Sequence, residues 1–430
     1  MNPRALAISV LARVEATDAY LNAVLDDALR SAPQREARDA AFCTELCYGS
    51  TRRRLSLDAA LAEASDRKLS KLEDRVLAAL RIGVYQLFFM RVPARAAVDA
   101  TVEALKELGM GRAASFVNAV LRKVARVDAP SPPQSGGALD AEALSLRESH
   151  PQWLVERWQR RHGPERAQKI LEANNVAPPL VVRTCTRHRT REALLEELRE
   201  AGLEVSPTAF SPVGIRLDSP GRVELLYGYA EGLWQVQDEA AQYVMCRAGI
   251  PPAAKVWDVC AAPGGKACQL AEQHQVFATD LSPEKLEKLR REAARLRLSD
   301  RIEASSHDAR LPLDAAKGVF DAVVLDAPCS GLGTLRRHPE LRYRRKEEDI
   351  FRLAALQREL LDAVCVRVRP GGCLVYVVCT TEPEEGRQQI DAFVARNSEF
   401  RRDVEDVLTL PDEAPWDGFF MAKLVRKTAV

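Results

Sequence analysis

The sequence carries almost no net charge. Its 62 Lys and Arg residues stand against 61 Asp and Glu in 430 residues, a balance of +1. No global field therefore draws in a polyanion, and a nucleic-acid partner has to be held by local basic patches. Long apolar runs are missing as well. Nothing approaches the roughly 18 apolar residues of a membrane span. The amino terminus, MNPRALAISVLARVEATDAY, has neither the apolar core nor the small-residue cleavage site of a secretory leader. A cytoplasmic protein without membrane association is expected. Cysteine is present ten times, but a disulfide framework is not expected, because thiols in a large chain of cytosolic character stay reduced and most serve as small buried hydrophobes. Cys43 and Cys47 share one face of a helical stretch. No second Cys or His pair at ligand spacing accompanies them, which argues against zinc, and no metal is expected.

What is there is a soluble, multidomain pattern. Hydrophobic residues make up 47% and charged residues 29%, so no polar excess forces long segments to stay unfolded. A single core stops growing near roughly 250–300 residues, so two or three domains are predicted. Residues 1–128 read as helical throughout, with apolar positions at three- and four-residue steps in RVLAALRIGVYQLFFM and AVDATVEALKEL. The run PSPPQSGG, inside a linker at 129–139, continues neither helix nor central strand. Residues 140–234 mix two helical segments, WLVERWQRRHG and TREALLEELREAG, with the strand-like runs LVVRT and GIRLD, which predicts a small α+β domain. From 235 to 430 apolar strands alternate with amphipathic helices: VWDVC, QVFATD, RIEASSHD, FDAVVLDAP and GGCLVYVVCT. That rhythm predicts an α/β Rossmann-like domain with a mostly parallel sheet and helices on both faces.

Ligands of such sheets bind beyond the carboxyl ends of the strands. After the first strand stand Asp258, Val259, Cys260, Ala261, Ala262, Pro263, Gly264, Gly265 and Lys266, where two glycines allow a tight turn and close backbone approach to a ligand. The spacing is not the G-x-G-x-x-G of pyrophosphate-binding enzymes, which favours a nucleoside ligand without a phosphate to cradle. The second strand ends at Asp280, whose carboxylate is suited to both ribose hydroxyls. The third leads to Asp308, placed for an adenine amino group. Each Asp alone is equally a turn residue or helix cap, whereas several acidic strand ends with Gly-Gly in one sheet point to S-adenosylmethionine.

Cys329 and Cys379 follow the fourth and fifth strands and face one crevice. Thiols there suit a particular chemistry. Carbon 5 of cytosine is too electron-poor to attack a sulfonium methyl, but a thiolate added at carbon 6 turns it into a nucleophilic enamine. The thiolate needs a nearby cation or hydrogen-bond donor to lower its pKa from about 8.5. Asp326 is suited to bonding the base while ring nitrogen 3 becomes protonated. A second thiol can assist release. Cys260, Cys268, Cys365 and Cys373 are assigned no part in the thiol chemistry and are read as buried hydrophobes.

The runs DAPCSGLGTLRRHPELRYRR, LVYVVCTTEPEE and DVCAAPGGK resemble the RNA 5-methylcytosine methyltransferases of the NOL1/NOP2/Sun family, most closely its bacterial RsmB branch. The resemblance implies a class I methyltransferase fold with a seven-stranded sheet. It further implies Cys379 as nucleophile, Cys329 as the thiol of product release, and a cofactor site built from Cys260 to Lys266, Asp280, Asp308 and Asp326. ELCYGSTRRRLSLDAAL, LRIGVYQLFFMRVPARAAVDATVEAL and FVNAVLRKV resemble the NusB-type helical RNA-binding domain. The chain departs from the family at Val378-Cys379-Thr380, where Thr-Cys-Ser is usual. By this analogy the substrate is a cytosine of 16S, small-subunit ribosomal RNA, acted on by a monomer. Transfer RNA as substrate, or a non-catalytic RNA-binding assembly factor, are the alternatives. Arg336, Arg337, His338, Arg342, Arg344, Arg345 and Lys346 form a cationic stretch directly after Cys329, and its place beside the motif favours contact with RNA phosphates over a merely solvated face. The target base has to be unstacked to expose carbon 6, so a flexible or single-stranded site is expected.

Overall fold

The alanine- and leucine-rich first part of the chain folds as its periodicity predicts. In the computed structural model, which describes residues 2–31, 36–127, 140–218 and 221–428, helices span Pro3–Ala16, Leu21–Arg30, Ala37–Arg52, Arg54–Ala64, Asp74–Phe89, Ala94–Glu107 and Ala114–Val124. Asn2 accepts the Arg4 N–H, and Pro3 in the first turn has no N–H left to satisfy. The helix Asp74–Phe89 is buried without a break from Val76 to Gln86, so it forms the axis around which the others pack. The linker expected at 129–139 lies outside the described residues.

The chain divides into two compact units, Met1–Ala177 with Leu335–Arg344, and Pro178–Thr334 with Arg345–Val430. This differs from the sequence-based boundaries in two places. Helices Ala141–Glu148, Gln152–His162 and Pro164–Asn175 group with the first unit, not with the α+β segment that follows. Hydrogen bonds explain why: the Ser56 N–H donates to Ser149 Oγ at 3.0 Å and the Ser56 hydroxyl to the Leu146 carbonyl at 2.6 Å. The second difference is the short segment Leu335–Arg344, whose arginines terminate helices of the first unit. Arg344 donates to the carbonyls of Val14, Thr17 and Ala19 at 2.9–3.0 Å, meeting the free acceptors at the end of helix Pro3–Ala16. Glu340 accepts the Leu21 N–H at 3.1 Å, at the positive start of the next helix.

In the second unit, strands β1 (Leu180–Thr184), β2 (Glu204–Pro207), β3 (Gly214–Asp218) and β4 (Trp234–Val236) form an antiparallel sheet in the order β2-β3-β1-β4. Helix Arg191–Glu200 lays Leu194, Leu195 and Leu198 on Val182, Ile215, Leu217 and Trp234. The larger sheet follows: β5 (Lys255–Val259), β6 (Gln275–Asp280), β7 (Ile302–Ser306), β8 (Phe320–Asp326), β9 (Val368–Val378), β10 (Phe400–Arg402), β11 (Val407–Thr409) and β12 (Phe419–Arg426). Its order is β10-β12-β9-β8-β5-β6-β7, with β11 paired to β12. The central strands run parallel, and β12 and β10 are antiparallel. The mostly parallel sheet of seven continuous strands is thus present, with β11 as an eighth at its margin. Strand order reverses between β5 and β8, which opens the crevice where such sheets bind ligands. β9 alternates strictly: Leu374, Tyr376 and Val378 enter one core, Val375 and Val377 the other.

Candidate active site

Register brings the site together. Val259 at the end of β5 pairs with Leu325 of β8, and Asp326 pairs with Val377 of β9. The residues that follow these ends are therefore neighbours across the switch point. Cys329 and Cys379 are both half-buried, and their sulfurs stand 3.3 Å apart. The Gly333 N–H donates to the Cys379 carbonyl at 3.1 Å.

Lys266 supplies the cation. Its Nζ lies 2.7 Å from Asp326 Oδ2. Burial alone would lower the Lys266 pKa, but Asp326, with further help from Cys379 and Asp258, raises it overall and keeps the ammonium charged. The same charge faces Cys379. The Cys329 thiol is held well above the ordinary thiol range, first by its contact with Cys379, then by burial and by the charges of Cys379 and Glu385. Cys329 therefore keeps its proton.

The glycine turn after β5 is shaped by its surroundings. Gly264 has φ +110°, and a Cβ there would meet Leu289 Cγ at 2.8 Å, so no larger residue fits. At Gly265 a Cβ would face open space, which leaves a backbone cradle for a ligand. Asp280 accepts the Ala262 N–H at 3.2 Å and the Ser282 N–H at 2.9 Å, and a carboxylate keeps further lone pairs for hydroxyl donors. Cys260 also lies in this loop. Burial first, then the charges of Asp280, Asp326, Asp258 and Asp308, push its pKa up to about 12, so it stays a thiol. Cys268, Cys365 and Cys373 are buried, as expected for core residues.

Asp308 is more engaged than the sequence suggests. Its carboxylate takes Arg310 Nε at 3.0 Å, Nη2 at 2.7 Å and the Arg310 N–H at 3.0 Å, and the Arg310 bonds hold its pKa down to about 2. Asp258 was legible only as the opening residue of the glycine motif. It is fully buried, neither carboxylate oxygen has a partner, and burial, followed by Asp326, raises its pKa well above the usual range. Such an orphaned carboxylate calls for a donor from a ligand.

The cationic stretch is divided between the two units. Arg336 and Arg342 are buried. Arg342 donates to the carbonyls of Arg52 at 3.0 Å and Asn174 at 2.6 Å and to Asn175 Oδ1 at 2.7 Å. With Arg344 they hold first-unit backbone, so the expectation of a contiguous phosphate surface is corrected for these three: dense charge here meets carbonyls, not solvent. Arg337 and His338 are half-buried, and His338 Nδ1 lies 3.7 Å from Glu340. Arg345, in the second unit, donates to the Ser330 carbonyl at 2.8 Å. Lys346 alone of the seven is exposed, at the start of helix Glu347–Val364. Sequence reading missed Glu385 entirely. It is fully buried and accepts the Ser330 N–H at 2.8 Å, and nothing in the acidic run EPEE marks Glu382 and Glu385 as interior and Glu384 as not.

Among the described residues no group of three or more His, Cys, Asp or Glu is placed to hold a metal ion, and no helix is long and apolar enough to cross a membrane.

Comparison with known proteins places this site in context. Family models match in chain order: the NusB family over residues 1–126, an RsmF/B-like ferredoxin-like domain over 150–224, and 16S rRNA methyltransferase RsmB/F over 251–425. The ribosomal RNA small subunit methyltransferase B of Vibrio cholerae is 38% identical, covering 99% of this chain and 98% of that one. That of Pseudomonas syringae pv. tomato is 37% identical over 100% and 98%. Among solved structures, PH0851 shares the fold with a TM-score of 0.85 at 24% identity over 99% of both chains. A methyltransferase homolog from Pyrococcus horikoshii, 26% identical, matches with a TM-score of 0.59 over 68% of this chain and 99% of its own. Full-length relatives at this identity, with three domain matches in the same order, show that the chain belongs to the ribosomal RNA small subunit methyltransferase B family.

Proposed function

We propose that the protein methylates carbon 5 of a cytosine in 16S ribosomal RNA through a covalent cysteine–cytosine adduct. The observation that carries the reading is the pair of sulfurs 3.3 Å apart at the ends of β8 and β9, beside the Lys266–Asp326 pair. Cys379, facing the ammonium, is the thiolate that adds to carbon 6 of the ring. Asp326, with the Lys266 ammonium behind it, bonds the base and steadies the proton that ring nitrogen 3 takes from solvent as the adduct forms and returns to solvent as it resolves. S-Adenosylmethionine, when bound, supplies the methyl group that carbon 5 accepts. The residues present fit that cofactor: the loop Cys260 to Lys266 offers an open cradle at Gly265, Asp258 offers two unpartnered oxygens, and Asp280 retains acceptor capacity for the ribose. Asp308 borders the adenine, sharing its carboxylate with Arg310.

Release follows from the coupling of the thiols. Once the Cys379 sulfur is bonded to carbon, its hydrogen bond with Cys329 and its negative charge are both lost, and with them the first cause and a lesser one of the raised pKa of Cys329. Cys329 then loses its proton to solvent and becomes the base that takes the proton from carbon 5, while the electron pair of that C–H bond expels the Cys379 thiolate from carbon 6. Labelled methyl transfer to 16S RNA from a strain lacking the enzyme tests the reading. Incorporation at a single cytosine, mapped by bisulfite resistance, is expected. Incorporation only into transfer RNA, or none despite RNA binding, would overturn it.

A further inference from the structure

Glu385 takes no part in the chemistry above, yet it is a fully buried carboxylate between the two cysteine loops. Its Oε1 accepts the Ser330 N–H at 2.8 Å and Gln357 Nε2 at 3.1 Å. Its Oε2 is bonded to the Ser330 hydroxyl, which in turn lies 2.9 Å from Thr380 Oγ1. The Glu385 carbonyl accepts the Tyr376 hydroxyl at 2.6 Å, which fixes the residue to β9. Gln357 also donates to the Pro328 carbonyl at 2.9 Å. Both chain neighbours of Cys329 are thereby held, and so is the residue after Cys379. A carboxylate taken out of water is costly unless its lone pairs are matched, and these are matched by groups adjoining the two sulfurs.

We propose that Glu385 is a positioning residue that sets the spacing of the two thiols: through Ser330 and Thr380 it ties the Cys329 loop to the Cys379 loop. The inference rests on the covalent reading for its consequence, since a base 1 Å out of place resolves the adduct slowly, by about a hundredfold in comparable cases. The spacing itself does not depend on that reading. Glu385 also contributes to keeping Cys329 protonated in the resting protein.

The test uses the full chain with the exposed Cys246 changed to Ser, and phenylarsine oxide, a trivalent arsenical that bridges two close thiols. Glu385→Gln keeps the shape but puts an amide donor where an acceptor is needed. We expect it to weaken arsenical capture by about tenfold or more through loss of the chelate, with S-adenosylmethionine affinity and thermal unfolding close to the parent. On RNA the adduct should form and persist. Ser330→Ala, which removes only the hydroxyl bridge, should move capture in the same direction by less, and Glu385→Asp should restore part of it. Parent-like capture in Glu385→Gln would overturn the proposal. So would parallel loss of capture, cofactor binding and thermal stability in Glu385→Gln with no change in Ser330→Ala, because that pattern is a folding defect. Capture needs no RNA, so a Cys329→Ala enzyme that forms no adduct would sink the covalent reading while leaving the spacing measurement intact.

Discussion

Replacing Arg342 by alanine separates a structural arginine from an RNA-binding one. Of the five acceptors its guanidinium reaches, two lie at 3.5 Å and three are close, at 3.0, 2.6 and 2.7 Å, and close hydrogen bonds to a charged group contribute roughly 1.5–3 kcal/mol each. Against this stands the cost of burying the charge. Burial, partly opposed by Tyr343, pulls the Arg342 pKa from 12.5 down to about 10, a penalty of ~3 kcal/mol. The net loss on truncation is then about 1.5–6 kcal/mol, which spans the range seen when a buried charged network loses one partner. Urea titration followed by circular dichroism reads it in the helical first unit. Filter binding of 16S RNA across a salt series is the second assay. The structure predicts early unfolding for Arg342→Ala, with the salt slope of binding unchanged in conditions where the variant is folded. Lys346→Ala, at an exposed position, should leave stability within ~0.5 kcal/mol. A stable Arg342→Ala variant whose salt slope drops by about one, as for a lost phosphate contact, would refute the reasoning.

Gly264→Ala should cost ~1–3 kcal/mol of stability and weaken cofactor binding, because φ is +110° and Leu289 Cγ lies 2.8 Å from the added carbon; thermal unfolding and titration calorimetry check both. Lys266→Met should slow methyl transfer to unmodified 16S RNA by roughly a hundredfold through loss of the ammonium that holds Asp326, and a parent-like rate contradicts that role. The raised pKa of Cys329 keeps it unreactive in the parent until well above the usual thiol range. Removing its first cause in Cys379→Ala should make Cys329 alkylate at lower pH, as followed by mass spectrometry.

Much of the fold was legible because periodicity survives folding. LVVRT and GIRLD are β1 and β3 residue for residue, and the five apolar runs of the last domain are β5 to β9. Cys329 and Cys379 were legible because each follows a strand run at the switch point. What the sequence hides is the destination of polar groups. Arg342 and Arg344 lie in a run that looks solvated, and only tertiary contact reveals that helix-end carbonyls absorb them. Helices 141–175 carry no mark of which unit they join, since Ser56 and Ser149 meet across distant sequence. Glu385 is hidden for the same reason: its burial depends on where Ser330 and Gln357 come to lie.

The most direct test of the central claim is a denaturing gel of enzyme mixed with unmodified 16S RNA and S-adenosylmethionine. With Cys379 as nucleophile and Cys329 as the releasing thiol, Cys329→Ala should give a slow-migrating protein–RNA band that persists, and Cys379→Ala should give none. A persistent band from Cys379→Ala, with none from Cys329→Ala, would contradict the assignment of the two sulfurs.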